Sequence, residues 1–329
     1  MPSQLAPVTL PGIQKPVRRD LDLVLEELRR VIASDFPTIG EVNEHLLRMK
    51  GKMFRPTLVL LSAQATGAVG PRQVSLAAVV ELIHLATLVH DDSVDHSVLR
   101  RGQPTINALF SHQVAVIMGD YLYSRAIVEL VEGGDIEPLR VMARVTNDMT
   151  VGEMRELEAH DVLEYSEEGY EHLIRAKTAS LMSGACELGA LAAGRRIREA
   201  LQRYGMFLGM AFQITDDLLD YTGSASVTGK PRGLDLREHK ITLPLIAALP
   251  RMTREERALV ERLMGDPSPA DGLIEAVIAV VDARGGLAAA HERAHQFALQ
   301  AESELEAVPS GPARDALRDC LVYSIERRS

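Results

Sequence analysis

The stretch SLAAVVELIHLATLVHDDSVD, residues 75–95, decides the fold, because it joins an apolar helix to a group of aspartates. Residues 75–90 are apolar almost all round rather than along one stripe, which is typical of a helix enclosed by other helices. A second stretch, GMFLGMAFQIT at residues 205–215, has the same character and runs into DDLLD at residues 216–220. The sequence therefore predicts two central helices that each end in carboxylates.

The rest of the chain predicts helices almost throughout. Leu21, Val24 and Leu28 begin a run of apolar residues spaced by three and four, the stripe of an amphipathic helix. Glycine and proline, for example in 133–138 and 265–269, cut the chain into helix-length pieces, and no alternating β-branched run precedes a hairpin turn. We expect residues 20–329 to form a single all-α domain of ten or more helices, with residues 1–19 as a flexible leader.

Composition excludes several functions. The 329 residues, 46% apolar and 25% charged, are typical of a globular chain, and the net charge of −10 argues against nucleic-acid binding. The N-terminal segment lacks the apolar region of a signal peptide. We expect no membrane insertion, because residues 58–61 and 179–194 fall short of about 18 uninterrupted apolar residues. Cys186 and Cys320 have neither disulfide nor zinc spacing, so we expect buried free thiols in a cytoplasmic protein.

The two aspartate groups predict a metal site. In each group the first and last carboxylates are four residues apart, so on a helix they share one face, about 6 Å apart, and repel each other. Oxygen ligands of this kind select hard divalent ions, and a site that leaves water on the ion suits Mg²⁺. One such group alone is as well explained by an exposed acidic turn, but two copies on two apolar helices favour metal. The predicted ligands are Asp91, Asp92, Asp95, Asp216, Asp217 and Asp220.

Basic residues are grouped near glycines, prolines and the aspartates, where they can hold a diphosphate, the anionic partner that bound Mg²⁺ needs. Each of them alone is more often a solvated surface charge. They are Lys52, Arg55, Arg100, Arg101, Lys177, Lys230 and Lys240. The segment GSASVTGK, residues 223–230, imitates a phosphate-binding loop, but proline follows it and a helix precedes it, so we exclude that motif. His84 lies two turns before Asp91 and is either a site residue or a core histidine.

With these residues assembled, the chain resembles the trans-isoprenyl diphosphate synthases of the polyprenyl synthetase family, and most of all their long-chain members. The resemblance runs from about residue 21 to the C-terminus, and the motifs that carry it are GKMFRP, ELIHLATLVHDDSVD, LRRGQPT, GDYLYSRA, AKTA, GMAFQITDDLLDYTG and GKPRGLDLREHKITLPLI. It implies a homodimer with the isoprenoid synthase fold, in which helices surround one deep central cavity with both aspartate groups at its mouth. It also implies Mg²⁺ as the cofactor, three ions per active site, with Mn²⁺ as a substitute.

The reaction implied by the resemblance is sequential 1′-4 condensation of isopentenyl diphosphate onto an allylic diphosphate of the farnesyl or geranylgeranyl type. Asp91 and Asp95 then resemble ligands for two Mg²⁺ and Asp216 for a third, with the other three aspartates in support. The residues that resemble an isopentenyl diphosphate site are Lys52, Arg55, His84 and Arg101. The predicted catalytic set, which grips the allylic diphosphate and flanks the developing carbocation, is Arg100, Lys177, Lys230, Lys240, Thr178 and Gln213.

Two positions depart from the family pattern. The family often has glycine where His239 stands and glutamine where Glu156 stands. The first departure leaves Lys240 in place. The second puts a carboxylate on the side of the cavity where the resemblance expects the metal ions.

Small residues one turn before the first aspartate group predict a long product. Side chains four and five positions apart stack along a helix, and here they are Thr87 and Ala86, followed by Ile83 and Val79. Bulky residues would close a product tunnel at this level, so the small ones predict a product of roughly 35 to 50 carbons, at about 5 Å per isoprene, and the resemblance implies that it is all-trans. Met142 is a candidate stop for the tunnel. In the alternative interpretation, Ala86 merely allows close helix packing.

Three other functions stay open. One is a shorter-chain, geranylgeranyl-type synthase. A terpene cyclase shares one aspartate motif and Mg²⁺, but it needs neither GKMFRP nor a second complete motif. A non-catalytic partner subunit of a heteromeric synthase would lose aspartates or basic residues, which this chain keeps.

Overall fold

The computed structural model describes residues 8–49, 51–100, 102–158, 166–223 and 232–326, and this part of the chain is all-α as expected. Its helices, in chain order, are α1 Leu10–Gln14, α2 Arg18–Ile32, α3 Pro37–Arg48, α4 Phe54–Ala65, α5 Pro71–Val94, α6 Ile106–Leu109, α7 His112–Glu132, α8 Ile136–Glu158, α9 Glu167–Ile174, α10 Ser180–Gly189, α11 Arg195–Thr222, α12 Leu234–Arg237, α13 Leu243–Ala248, α14 Arg254–Met264, α15 Asp271–Ala283, α16 Gly286–Glu304 and α17 Pro312–Glu326. Short 3₁₀ turns lie at Lys15–Val17, Leu249–Arg251 and Leu305–Ala307, and a π-helical turn lies at Arg175–Ala179.

The chain divides into two compact units, each assembled from separate segments. The first unit contains Met1–Val145, Leu181–Gly205 and Leu305–Asp319. The second contains Thr146–Ser180, Met206–Glu304 and Cys320–Ser329. The expectation of a single domain over residues 20–329 stays a prediction.

Helix α5 is the central helix of the first unit, and α2, α4 and α7 pack against it. Its residues Val80, Leu82 and Ile83 are almost completely buried, as an all-round apolar pattern predicts. The helix ends where polar residues begin: Asp95 is the C-cap, and its backbone N–H donates to the carbonyl oxygen of Asp91. The first aspartate group therefore occupies the last turn of a buried helix.

Helix α5 also has the length and mean hydropathy of a membrane-crossing helix, which a search for uninterrupted apolar residues does not reveal. It is the one helix of this kind in the described ranges, and 61% of its most apolar window is buried inside the chain. Burial of that extent is usual for the core helix of a folded protein. Length and composition alone are weak evidence for a membrane span.

Two apolar clusters build the second unit. In the first, α11 contributes Met210, Ile214 and Leu218, which pack with residues of α9, α13 and α16, among them Phe297. The second cluster joins the end of α11, at Tyr221, to α12 through α15. Both clusters hold the C-terminal half of α11, so the second aspartate group also lies on a helix whose other face is buried.

Two local features were not expected from the sequence. Residues Leu99–Arg100 and Gln103–Pro104 form a minimal antiparallel pair of strands, and Gly102, with φ +74°, lies in the turn between them. Strands of two residues are too short to show an alternating pattern. The π-helical turn at Arg175–Ala179 interrupts the run from α9 to α10, although its sequence, RAKTA, contains no helix breaker.

Both cysteines are free and buried, as predicted. Burial raises the pKa of the Cys186 thiol to about 12, partly offset by a hydrogen bond with Ser62. A thiol with so high a pKa is uncharged and unreactive at neutral pH. Cys186 therefore behaves as a small apolar core residue.

Candidate active site

The three aspartates of the first group differ in their surroundings. Asp91 is half-buried and Asp95 is exposed, whereas Asp92 is only 5% exposed. The Asp92 carboxylate accepts from Arg100 Nε, with both oxygens at 2.8–2.9 Å. Asp91 and Asp95, one helical turn apart, thus form the accessible side of the group. Asp92 holds Arg100, which the resemblance assigns to a diphosphate.

The residues assigned to isopentenyl diphosphate lie at the start of α4 and in the middle of α5. Arg55 Nη1 lies 3.0 Å from His84 Nε2. Because a guanidinium only donates, that ring nitrogen accepts, and the neutral ring carries its proton on Nδ1. His84 also lines a small cavity together with Glu81, Asp92 and Arg100, which favours the site interpretation over a core histidine.

Of three other residues assigned to substrates, Lys52 is the one that lies in the described part of the chain. Lys52 is exposed, just before the start of α4, and its carbonyl oxygen accepts a hydrogen bond from Gln14 Nε2 at 3.0 Å. Arg101 and Lys230 lie outside the described residues. Their assigned roles stay predictions.

The second aspartate group shows the same division as the first. Asp216 is exposed, whereas Asp217 is buried and accepts two hydrogen bonds, from Tyr170 Oη at 2.5 Å and from Gln213 Nε2 at 2.8 Å. Burial raises the pKa of Asp217 to about 7, and the charges of Asp216 and Asp220 act in the same direction, while its two hydrogen-bond donors act against it. A cation beside this group favours its charged form.

Asp220 accepts hydrogen bonds from two backbone N–H groups. Its Oδ1 accepts from the Leu234 N–H at 3.0 Å and its Oδ2 from the Asp235 N–H at 3.1 Å, so it caps the short helix α12. Burial raises the pKa of neighbouring Asp235 to about 8, with further repulsion from Asp217 and Asp220. Asp216 is exposed, whereas Asp220 is half-buried and Asp217 is buried.

The π-helical turn directs two predicted catalytic side chains to different neighbours. Lys177 Nζ lies 2.8 Å from Glu153 Oε2 and also pairs with Glu156, both on α8. Thr178 Oγ1 donates to Gln213 Oε1 at 2.9 Å. Since Gln213 in turn donates to Asp217, a continuous chain of hydrogen bonds links Thr178 to the second aspartate group. The departure from glutamine at Glu156 thus supplies a second carboxylate to Lys177.

The structure also accounts for His239, the other position that departs from the family pattern. His239 has φ +58°, in the left-handed region, which glycine adopts without strain and a histidine does not. Its ring nitrogen Nε2 lies 2.9 Å from the Asp266 carbonyl oxygen, a contact that glycine cannot make. The next residue, Lys240, keeps its place: its N–H donates to the Asp235 carbonyl oxygen at 2.7 Å, and its Nζ lies 3.0 Å from Glu238.

The residues assigned to a product tunnel lie on α5, together with Met142 on α8. Ala86 and Ile83 are 3% and 1% exposed, and Met142 is fully buried. Thr87 is half-buried and donates its hydroxyl to the His84 carbonyl oxygen at 2.8 Å. Burial fits both a tunnel wall and close helix packing, so the tunnel stays a prediction.

Sequence reasoning missed three residues that act on the predicted site. Glu153 pairs with Lys177, Tyr170 donates to Asp217, and Asp235 adds a carboxyl group beside Asp217 and Asp220. The position of Glu153, three residues before Glu156, was a usable signal, because residues at that spacing share a helix face. Tyr170 carries no such signal, since its partner is 47 positions away.

The accessible carboxylates of each aspartate group, taken separately, fit hard divalent cations. Asp91, Asp95 and Asp216 offer only oxygen atoms, and each lies beside a buried aspartate that is already bonded to other side chains. Within the residues that the structure describes, no three side chains of His, Cys, Asp or Glu converge on one point. Ligand sets of few carboxylates completed by water and phosphate oxygens are the usual binding mode of Mg²⁺.

Comparisons with known proteins identify the family. The sequence model of the polyprenyl synthetase family matches residues 36–281. The all-trans-nonaprenyl-diphosphate synthase (geranyl-diphosphate specific) of Rhodobacter capsulatus is 38% identical, over 96% of this chain and 97% of its own length. Component 2 of the heptaprenyl diphosphate synthase of Geobacillus stearothermophilus is 36% identical, over 92% of this chain and 94% of its own length.

A solved structure agrees with these matches. The crystal structure of a polyprenyl synthase from Caulobacter crescentus CB15, complexed with calcium and isoprenyl diphosphate, has a TM-score of 0.93 at 34% identity and covers 99% of this chain. All of that chain is covered in turn. The predicted family and all-α fold are confirmed. Because the family match spans most of the chain and its relatives are matched over nearly their whole length, the chain belongs to the polyprenyl synthetase family and is a prenyltransferase of the trans-prenyl diphosphate synthase type.

Proposed function

We propose that this enzyme catalyses the Mg²⁺-dependent, sequential 1′-4 condensation of isopentenyl diphosphate onto an allylic diphosphate, to give an all-trans product of roughly 35 to 50 carbons. The proposed dependence on Mg²⁺ rests on one observation. In both aspartate groups the first carboxylate is accessible, while the second is buried and bonded to other side chains. An exposed acidic turn has no reason to bury and bond its second carboxylate, whereas a metal site needs its ligands supported in this way.

Each described side chain then has a definite task. Two Mg²⁺ ions held by Asp91 and Asp95, and a third held by Asp216, would stabilise the negative charge of the departing diphosphate. Arg100 and Lys177 bind diphosphate oxygens, and the proposal gives Lys230 and Lys240 the same role. Arg100 is oriented for this task by Asp92, whose two carboxylate oxygens both accept from the Arg100 Nε–H.

In this proposal, Thr178 and Gln213 stabilise the positive charge that develops on the allylic carbon atoms. When the allylic C–O bond breaks, positive charge develops on the carbon atoms. The Thr178 hydroxyl donates a hydrogen bond to Gln213 Oε1, so the lone pairs of its oxygen can face that charge. The C4 carbon of isopentenyl diphosphate attacks the allylic carbon, and the proton lost afterwards passes to the released diphosphate. Buried apolar helices such as α5 keep water away from the cation.

The names of the relatives support a long product. Nonaprenyl and heptaprenyl correspond to about 45 and about 35 carbons, at five carbons per isoprene unit. The Rhodobacter relative is also named as specific for geranyl diphosphate, so the allylic starter of this chain has to be tested beyond the farnesyl and geranylgeranyl types. The small residues Ala86 and Thr87 support the same long-chain interpretation.

The experiment is an incubation of the purified chain with labelled isopentenyl diphosphate and Mg²⁺, with geranyl, farnesyl or geranylgeranyl diphosphate in separate reactions. Chromatography of the dephosphorylated products measures their length. We expect long-chain products with Mg²⁺ and none in EDTA. A hydrocarbon or cyclic product, or a labelled product that forms equally well in EDTA, contradicts the proposal.

A second candidate is a synthase that acts only with a partner subunit. The observation in its favour is the Geobacillus relative, which is named as one component of its enzyme. This chain keeps every predicted aspartate and basic residue, which favours activity alone, as the predicted homodimer. Turnover by the purified chain, run beside sedimentation of the same sample, decides between the two: turnover by the chain alone excludes an obligatory partner.

A further inference from the structure

Two carboxylates of α8 bind one lysine, Lys177. Its Nζ lies 2.8 Å from Glu153 Oε2, and it pairs with Glu156 as well. The lysine, Glu153 and Glu156 side chains are 28%, 24% and 28% exposed, so the cluster is partly shielded from water. By their formal charges, the two glutamates and the lysine together carry an excess of one negative charge. We call Glu153, Glu156 and their contacts to Lys177 the carboxylate latch.

The backbone builds this cluster through a close contact of two elements. Gly152 of α8 lies against the π-helical turn: a Cβ atom there would lie 2.8 Å from Ala176 Cβ and 3.2 Å from the Lys177 nitrogen. Only glycine permits this approach without displacement. Glu153 and Glu156 follow Gly152 by one and four positions, so they reach Lys177 directly from the adjoining helix. π-helical turns are rare and are frequent at functional sites.

We propose that the carboxylate latch makes the binding of a diphosphate at Lys177 conditional on a divalent cation. This inference rests on the proposed function, because it takes Lys177 as a ligand of the diphosphate. A diphosphate without a cation meets the excess negative charge and has to compete with two carboxylates for one ammonium group. A diphosphate that carries Mg²⁺ is largely neutralised, so the same exchange at Lys177 costs much less.

The latch therefore discriminates against the metal-free anion. The discrimination has a use in the proposed reaction, since a diphosphate bound without metal lacks the charge stabilisation that bond breaking needs. Two carboxylates, rather than one, give the effect: a single Glu–Lys pair is neutral, and an anion that replaces its carboxylate meets no excess charge. Glu156, the residue that departs from the family pattern, is the second carboxylate.

Binding of inorganic pyrophosphate, measured by titration calorimetry with Mg²⁺ and with EDTA, tests the latch without any turnover. Glu156→Gln removes one charge and keeps the shape of the side chain. We expect it to bind metal-free pyrophosphate about tenfold more tightly than the wild type, with a much smaller gain in Mg²⁺. Glu153→Gln changes the affinity in the same direction. Glu156→Asp keeps the charge, and we expect the wild-type difference between Mg²⁺ and EDTA.

The control is Glu171→Gln, which removes a carboxylate from another partly buried pair of the same unit, Glu171 with Arg293 at 2.6 Å. We expect its Mg²⁺ and EDTA affinities to equal those of the wild type. A wild type that binds with Mg²⁺, together with a folded Glu156→Gln that gains no metal-free affinity, overturns the latch alone. A wild type that binds no pyrophosphate even with Mg²⁺ overturns the proposed function, and the latch with it.

Discussion

Asp216 and Asp220 belong to one sequence motif, but their carboxylates have different surroundings. Asp216 is exposed, and Asp220 accepts the backbone N–H groups of Leu234 and Asp235. An amide at position 220 keeps one acceptor oxygen and loses the other, so the cap of α12 is weakened. At position 216 an amide removes a charge that the proposed Mg²⁺ site needs. The same substitution at two positions therefore separates a metal ligand from a structural cap.

We expect Asp216→Asn to abolish turnover while the free energy of unfolding is unchanged or rises, because repulsion with Asp217 and Asp220 is reduced. Asp220→Asn is expected to cost about 0.5–2 kcal/mol of stability, the usual range for a lost helix cap, and to keep measurable turnover. Urea unfolding and steady-state kinetics check both. Equal loss of turnover in the two variants, with no loss of stability in Asp220→Asn, contradicts the assignment.

Tyr170 holds the buried member of the same motif. Its hydroxyl donates to Asp217 at 2.5 Å, and Asp217 accepts from Gln213, which accepts from Thr178. We expect Tyr170→Phe to destabilise the chain by about 1–3 kcal/mol, because a buried carboxylate loses a donor. We also expect kcat to fall more than KM rises, since Gln213 and Thr178 lose their fixed positions. Unchanged kinetics in a destabilised variant would limit Tyr170 to a structural role.

At the scale of elements, a buried charge joins three helices of the first unit. Glu187 on α10 is 4% exposed and pairs with Arg144 of α8 and with Arg198 of α11, while Gln202 of α11 donates a further hydrogen bond at 3.0 Å. Arg198 donates to it through Nε and Nη2, at 3.2 and 2.9 Å. In the sequence, Glu187 interrupts the apolar stretch of residues 179–194. In the structure it is the centre of a hydrogen-bonded polar network.

We expect Arg198→Ala to lower the free energy of unfolding by about 2 kcal/mol, because a buried carboxylate loses a charged donor. Arg195→Ala is the matched control on the same helix. Arg195 pairs with Glu199 at the surface and is 90% exposed, so we expect its loss to leave stability unchanged. Chemical unfolding measures both variants, and equal stabilities would mean that the buried network contributes nothing.

The product tunnel is a property of α5 and its neighbours. Ala86 is 3% exposed, one turn before the first aspartate group. We expect Ala86→Phe to shorten the product by several isoprene units, because a ring there closes the tunnel, and to cost about 1–3 kcal/mol of stability through overpacking. Ala86→Ser, which keeps a small side chain, is expected to keep the product length. Chromatography of the dephosphorylated products decides, and a folded Ala86→Phe with unchanged products excludes the tunnel.

The ends of the helices were largely predictable, because glycine and proline interrupt a helix at their own positions. Helix α7 ends at Glu132, before the breakers in 133–138, and α14 ends at Met264, before those in 265–269. The π-helical turn was not predictable, because its sequence RAKTA contains no helix breaker and its close contact with Gly152 joins it to another helix. The division of each aspartate group into accessible and buried carboxylates depends on partners such as Tyr170, which spacing within a motif cannot reveal.

At the scale of the whole molecule, the net charge of −10 argues against nucleic acid but not against diphosphates. Six of the acidic residues lie in the two aspartate groups, where the proposed Mg²⁺ ions would offset their negative charge. The diphosphate is then attracted to a place that the total charge suggests should repel it. Anion and cation should consequently bind together and stabilise the folded chain only in each other's presence.

Thermal unfolding tests this mutual dependence. A ligand that binds only the folded chain stabilises it by about 2.7 kcal/mol at one hundred times its Kd. For a chain of 329 residues that corresponds to a rise in Tm of about 4 °C. We expect this rise with Mg²⁺ and pyrophosphate together, and little change with either alone or in EDTA. Asp216→Asn should lose the rise and Asp220→Asn should keep it, because Asp216 is exposed whereas Asp220 caps α12. A full rise with pyrophosphate in EDTA would show that the basic residues alone bind the anion, and the metal site would then have no part in holding it.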